Sequence, residues 1–217
     1  MSKYWEITEK NIIVDENNKR INTAKRELAE QKLANHFIEG NDSVLELGAR
    51  YGSVSVVINK KLNDKTKQLS VEPDERVWEA LEKNKSVNNC EFAILKGFIS
   101  NKKLSLINTD KYAGGYASTS IEDNNSKIKS MSLDYYSNYN FNVLVADCEG
   151  FLEEFIDENI LFIKSLRLII FEADYGIKCN YRKIRKFLKD NNFKQILCGH
   201  QNVFLSNSNI NDLSKSI

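Results

Sequence analysis

The chain has little of what marks several common functional classes. Its 31 Lys and Arg are matched by 30 Asp and Glu, leaving a net charge of +1 over 217 residues. Phosphate neutralisation needs a clustered excess of positive charge, so a dedicated nucleic-acid binder is disfavoured, although a local basic face is not. There is no run of about 18 apolar residues to span a bilayer. Met1 to Arg20 is polar and lacks the apolar core of a signal peptide, so the expected location is the cytoplasm. The four cysteines, Cys90, Cys148, Cys179 and Cys198, contain no C-x-x-C pair, which argues against a zinc site and for free thiols. Proline occurs once. The Gly-x-Gly-x-x-Gly spacing of a dinucleotide site is absent too.

What is present fits one α/β domain. The composition is 41% hydrophobic and 10% aromatic, ordinary for a globular protein. Ala24, Leu28, Leu33, Ala34, Phe37 and Ile38 recur among charges and predict an amphipathic helix over 22–39. Strands are expected at 43–47, 67–72, 91–96, 141–147 and 167–172, with helices at 53–62, about 75–85, 151–158 and 180–191. Asp74 is placed to cap the second of these helices. Segments 100–107 and 127–133 read as short extended pieces around an aperiodic loop, Asn108 to Asn125, which holds Gly114-Gly115 and Ser118-Thr119-Ser120. Strands at 193–198 and 202–206 pivot on Gly199-His200, and so short a connection implies an antiparallel pair. The pattern is a doubly wound, mostly parallel sheet with one reversed strand. No linker or repeat divides it. The expectation is a single domain over 1–217, with a helical lead-in over 1–42 and a core over 43–206.

The most informative stretch is Val44-Leu45-Glu46-Leu47-Gly48-Ala49-Arg50-Tyr51-Gly52. It reads as a buried strand, a tight glycine turn and the start of a helix. At the carboxyl end of a parallel strand, glycine lets backbone approach a ligand that a Cβ would hold off. A carboxylate before the glycines would face a pyrophosphate but suits a cationic amino-acid ligand. This order favours S-adenosylmethionine (SAM) over a dinucleotide. Glu72 ends the second strand, where a carboxylate can accept hydrogen bonds from both hydroxyls of an adenosine ribose. Gly48, Ala49 and Gly52 are expected to bring amides to the methionine end, Glu46 to hold its ammonium, and Arg50 and Tyr51 to close over it. Pro73 follows the ribose acid. Gly97 and Phe98 follow the third strand, where an adenine finds its wall.

Asp147-Cys148-Glu149-Gly150 ends the central strand, beside the place for a transferable methyl group. Methyl transfer to an alcohol is a displacement that gains mostly from alignment and from a base that takes the proton. Asp147 is the first candidate base and His200 the second, since histidine titrates near neutrality. Glu172 and Asp174 can shape the acceptor pocket or, with Asp147, offer oxygen ligands to a hard divalent cation. Nothing in the sequence requires a metal, and none is predicted.

With these motifs in place, the chain resembles the FkbM-type family of class I SAM-dependent methyltransferases. Val44 to Gly52 is similar to its acid-x-Gly-Ala-x-x-Gly turn, and Val71-Glu72-Pro73 to its second-strand acid and proline. Ser118-Thr119-Ser120 and Ile128-Lys129-Ser130-Met131-Ser132-Leu133-Asp134 resemble its Ser-rich loop and Leu-Asp segment. Leu144-Val145-Ala146-Asp147-Cys148-Glu149-Gly150 resembles its Lys-Ile-Asp-Val-Glu-Gly signature, and the match is collinear from about 43 to 206. Arg50 departs from the family's frequent Asn, and Ala146 from the residue that usually precedes the acid. The resemblance implies a Rossmann-like fold, SAM as cofactor with S-adenosylhomocysteine (SAH) as product, and O-methylation of a sugar, glycan or small metabolite. Other readings are a methyltransferase acting on RNA or protein, a binding module that kept the fold, and a nicotinamide-dependent dehydrogenase. RNA 2′-O transfer wants a lysine-centred set that is not aligned with Asp147, and the dehydrogenase lacks a Tyr-Lys or His pair. The joint presence of Glu46, Gly48, Gly52, Glu72 and Asp147 argues against a module without cofactor.

Overall fold

The computed structural model describes residues 11–22, 27–108 and 118–209. Helix α1 (Leu28–Phe37) leads into β1 (Val44–Leu47), whose four residues are all buried. Then come α2 (Ser53–Lys61), β2 (Gln68–Glu72), α3 (Trp78–Val87) and β3 (Ala93–Lys96). A middle region carries β4 (Phe98–Ile99), β5 (Leu104–Asn108), β6 (Ser118–Glu122) and β7 (Ser130–Met131). The core resumes with β8 (Val143–Ala146), α4 (Leu152–Glu158), α5 (Ile160–Ser165), β9 (Leu168–Glu172), α6 (Tyr181–Asp190), β10 (Phe193–Leu197) and β11 (Gln201–Ser206).

Seven strands form one sheet in the order β10-β11-β9-β8-β1-β2-β3, and only β11 runs against the rest. The register explains the two cores. Leu45 aligns with Leu69 and Leu144, and Leu47 with Val71 and Ala146. Strand alternation sends these side chains to one face, where they meet Leu152, Phe155 and Ile156 of α4 and Ile184 and Leu188 of α6. Val44, Val143, Val145, Leu168 and Ile170 face the other way, onto Leu33, Ala34 and Phe37 of α1 and Val57 and Ile58 of α2. Fully burying one such side chain contributes about 1.5–3 kcal/mol.

From β1 the chain steps outward to β2 and β3, then crosses back to lay β8 on β1's other side. That reversal opens a crevice at the carboxyl ends of β1 and β8, where doubly wound sheets bind ligands. The strand ends approach so closely that a Cβ on Gly48 would lie 1.6 Å from the Asp147 carbonyl oxygen, and Gly48 has φ +86°.

Three features differ from the sequence expectation. Residues 118–122, expected within an aperiodic loop, form β6 and pair antiparallel with β5, while Gly114-Gly115 falls outside the described residues. Helix α5 was not anticipated; it follows α4 after a break at Asn159. The helix after Asp74 opens as a 3₁₀ turn, Glu75–Val77, whose Arg76 amide donates to Asp74 Oδ1 at 3.0 Å. No helix among the described residues is long and apolar enough to cross a membrane.

Candidate active site

Two clefts meet over the ends of β1 and β8. The first has about 810 Å³ of empty volume including its open mouth, the second about 1220 Å³, and both are lined by Arg50, Asp147 and Glu149. Gly48, Arg50, Glu72, Pro73, Phe98, Asp147 and Cys148 line the first cleft.

Glu72 is its best-braced group. At the end of β2 the side chain is buried, and each oxygen takes one backbone amide: Oε2 from Arg50 N and Oε1 from Asp74 N, both at 2.7 Å. Arg50 offers its amide from the left-handed region, φ 46°, an uncommon conformation for a residue with a side chain. The carboxylate is thus fixed in orientation while part of each oxygen's accepting capacity remains. Val71, Val77, Phe98 and Ile99 give the same cleft an apolar flank, and Ser118 and Ser120 of β6 form an outer wall.

The other predicted cofactor residues lie elsewhere, for local reasons. Glu46 alternates with Leu45 and Leu47, so it faces α2, where it is 2% exposed and accepts from Ser70 Oγ at 2.5 Å. It reaches a small cavity behind the glycine turn together with Gly48, Ala49 and Asp147. Tyr51 turns its hydroxyl to Glu16 Oε2 at 2.5 Å, away from the cleft. The turn amides are committed within the fold: Gly48 N and Ala49 N donate to Val71 O, and Gly52 N to Ala49 O. Gly97 sits behind Phe98, where a Cβ would lie 2.1 Å from the Lys129 carbonyl oxygen.

The second cleft is acidic. Asp147, Glu149, Glu172 and Asp174 stand at or just past the ends of β8 and β9, and Glu27 and Glu30 approach from α1 and the residue before it. Burial pushes Asp147 well above the usual carboxylate range, and the adjoining charge of Glu172, in hydrogen-bond contact with it, adds to this. Burial likewise raises Glu172. Glu149 rises to about 7 through burial and the charge of Asp174. His200, 66% exposed, sets Nε2 against Glu172 Oε1. The two candidate bases are therefore joined through Glu172. Cys148 is a neutral thiol here, its pKa pushed up by burial. Among the described residues, no group of three or more His, Cys, Asp or Glu is arranged to hold a metal ion.

Sequence reasoning did not find Glu27 and Glu30, which sit far along the chain from Asp147 with no motif around them. Asp147 and Glu172 were visible because each directly follows an apolar run.

These carboxylates set a pH dependence. Burial, the leading cause in each case, raises Glu30, Glu46 and Glu72 from 4.5 to about 7. Between those values the folded protein keeps protons that the unfolded chain has released, so rising pH lowers stability across that window. Desolvation lowers His36 and pulls the other way, but it is one group against several. The thermal midpoint of the ligand-free protein is expected to be higher at pH 6 than at pH 8, measured by circular dichroism. The reverse order would mean that the acids are charged and compensated in the native state.

No protein-family model matches the chain, and no curated protein does either. Among solved structures it is similar to precorrin-6y C5,15-methyltransferase from Geobacter metallireducens, at 12% identity and TM-score 0.50, over 80% of this chain and 83% of that one. An O-methyltransferase from Bacillus cereus in complex with SAH aligns at 11% identity and TM-score 0.49, over 82% and 79%. Ribosomal protein L11 methylase from Lactobacillus delbrueckii subsp. bulgaricus aligns at 15% and 0.46, over 81% and 74%. At such identities the likeness is one of fold: a mostly parallel Rossmann-like sheet of the class I methyltransferase type, with an antiparallel terminal hairpin.

Proposed function

We propose that this protein is a single-domain SAM-dependent methyltransferase that methylates a hydroxyl on a sugar, glycan or small metabolite, as its resemblance to the FkbM-type family implies. One observation carries the reading: the buried Glu72 carboxylate, braced by two backbone amides at the rim of a half-apolar cleft. That is what a ribose diol beside a flat base requires. In this reading Glu72 holds the ribose, Phe98 and Ile99 flank the adenine, and Gly48 and Arg50 border the methionine end. SAM, when bound, supplies an electrophilic methyl group.

The acceptor enters the second cleft. Asp147, lying in both clefts, takes the hydroxyl proton. Glu172 receives the proton in turn and His200 delivers it to solvent, since Glu172 touches both. The acidic lining supports a neutral or cationic acceptor over RNA, whose phosphates it would repel. A cationic side chain of a protein acceptor is the second reading, favoured by the same lining.

Calorimetric titration with SAM and SAH tests the cofactor. Micromolar binding of both is expected, and Glu72→Ala should weaken it more than about tenfold, the loss of at least one charge-assisted hydrogen bond. Native-like affinity in a folded Glu72→Ala variant would remove the ribose role. No binding by the native protein would remove the methyltransferase reading itself.

A further inference from the structure

A lysine outside the assigned chemistry bonds to a wall residue of the first cleft. Lys178 lies between β9 and α6, on the segment that gives Asp174 and Tyr175 to the second cleft. Its ammonium crosses to β6, where Nζ donates to the Ser120 carbonyl and to Ser120 Oγ at 2.5 Å. The stem passes over Gly150, so near that a Cβ there would lie 3.1 Å from Lys178 Cβ. Unlike Lys183 and Lys186, which pair with carboxylates in the open, Lys178 has no carboxylate in ion-pair contact among the described residues. Its half-buried position lowers its pKa by desolvation. A cation held there at a cost must be offset by the bonds it makes.

Those bonds fall on an element that needs them. Among the described residues, strand β6 pairs only with β5, in a two-stranded sheet separate from the main one. An isolated hairpin is marginally stable in water. Further ties reach β6: Thr119 Oγ1 donates to the Glu149 carbonyl at 3.1 Å, Arg76 Nη2 to Ser118 Oγ at 2.9 Å, and Lys102 Nζ pairs with Glu122 Oε2 at 3.4 Å. Arg76 is on the exposed side and also bonds Asp74. Lys178 supplies the tie that joins the wall of the first cleft to the acceptor-side segment.

We infer that Lys178 is a positioning residue for the cofactor: by fixing Ser120 it holds β6 as the outer wall of the first cleft. The inference rests on the SAM reading of that cleft.

The test is SAH titration of the native protein and of Lys178→Met, Lys178→Arg and the control Lys183→Met. Methionine keeps the apolar stem and removes the donors, whereas arginine keeps donors. Lys178→Met is expected to weaken SAH about tenfold, as loss of charge-assisted bonds implies. Lys178→Arg should recover most of that affinity, and Lys183→Met should bind like the native protein. In amide exchange of the native protein, residues 118–122 should gain protection when SAH binds. That measurement needs no variant and serves even where Lys178→Met does not fold. Native affinity in Lys178→Met, or unchanged exchange at 118–122 on saturation with SAH, would overturn the inference alone. Failure of the native protein to bind SAH would overturn the cofactor reading and this inference with it.

Discussion

Gly48→Ala is expected to destabilise the protein by about 3 kcal/mol or more and to abolish SAM binding, because it combines overpacking with backbone strain. The alanine methyl would sit 1.6 Å from the Asp147 carbonyl oxygen and 2.6 Å from its carbon. Neither atom can swing aside as a side chain would, since both belong to the backbone leaving β8. Relief requires β1 and β8 to part, and Asp147 N is tied to Leu47 O at 2.9 Å across that same gap. The left-handed φ adds its own penalty for any residue with a Cβ. Gly176→Ala is the control, because a Cβ there would meet nothing within 4 Å. Chemical denaturation and SAH titration of both variants make the measurement. A Gly48→Ala protein of native stability and affinity would show that the strand ends need not approach so closely.

Asp147→Asn should lower turnover by about 10² to 10⁴, the range general-base catalysis supplies, while changing SAH affinity little. The asparagine keeps the shape but cannot take the acceptor's proton. It also removes one of the carboxylates that face each other in the second cleft, where Asp147 adjoins Glu172. The substitution should therefore cost no stability at pH 8, which separates a catalytic loss from a folding defect. Methyl transfer from labelled SAM, with kcat and the SAH dissociation constant measured side by side, distinguishes the roles. A loss confined to SAH affinity would move Asp147 into the cofactor shell and leave His200 as the base.

Much of this was legible in the chain because strands of a parallel core announce themselves. Val143 to Ala146 and Leu168 to Phe171 are apolar runs followed directly by an acid, and Val44 to Leu47, apolar but for Glu46, runs into Gly48; a buried strand has few other ways to read. Strand β6 was hidden for the opposite reason. Ser118, Thr119 and Ser120 carry no apolar alternation; their place is fixed by hydrogen bonds to Lys178, Glu149 and Arg76, partners distant in the chain. Helix α5 was lost because it has six residues, too few to show a period. For Glu46 the signal was present: alternation with Leu45 and Leu47 already sends it to the far face of the sheet. For Glu27 and Glu30 there was none, since an acid on a helix surface looks the same whether it meets solvent or a cleft.

The order of strands bears on how the molecule is made. Among the described residues, strand β10 touches the sheet only through β11, which is inserted between it and β9 and comes after both in the chain. During vectorial synthesis, β10 therefore emerges with no edge to join. Residues 201–206 must leave the ribosome before either strand can dock, and they bring Val203, Phe204 and Leu205 to close both faces of the core at once. His200, just before this last strand, reaches the second cleft only then, and Gln201 reaches Glu30. Assembly of the second cleft is thus coupled to completion of the sheet, so a nascent chain that stalls before β11 has its glycine turn and Glu72 in place but not the contact of His200 with Glu172.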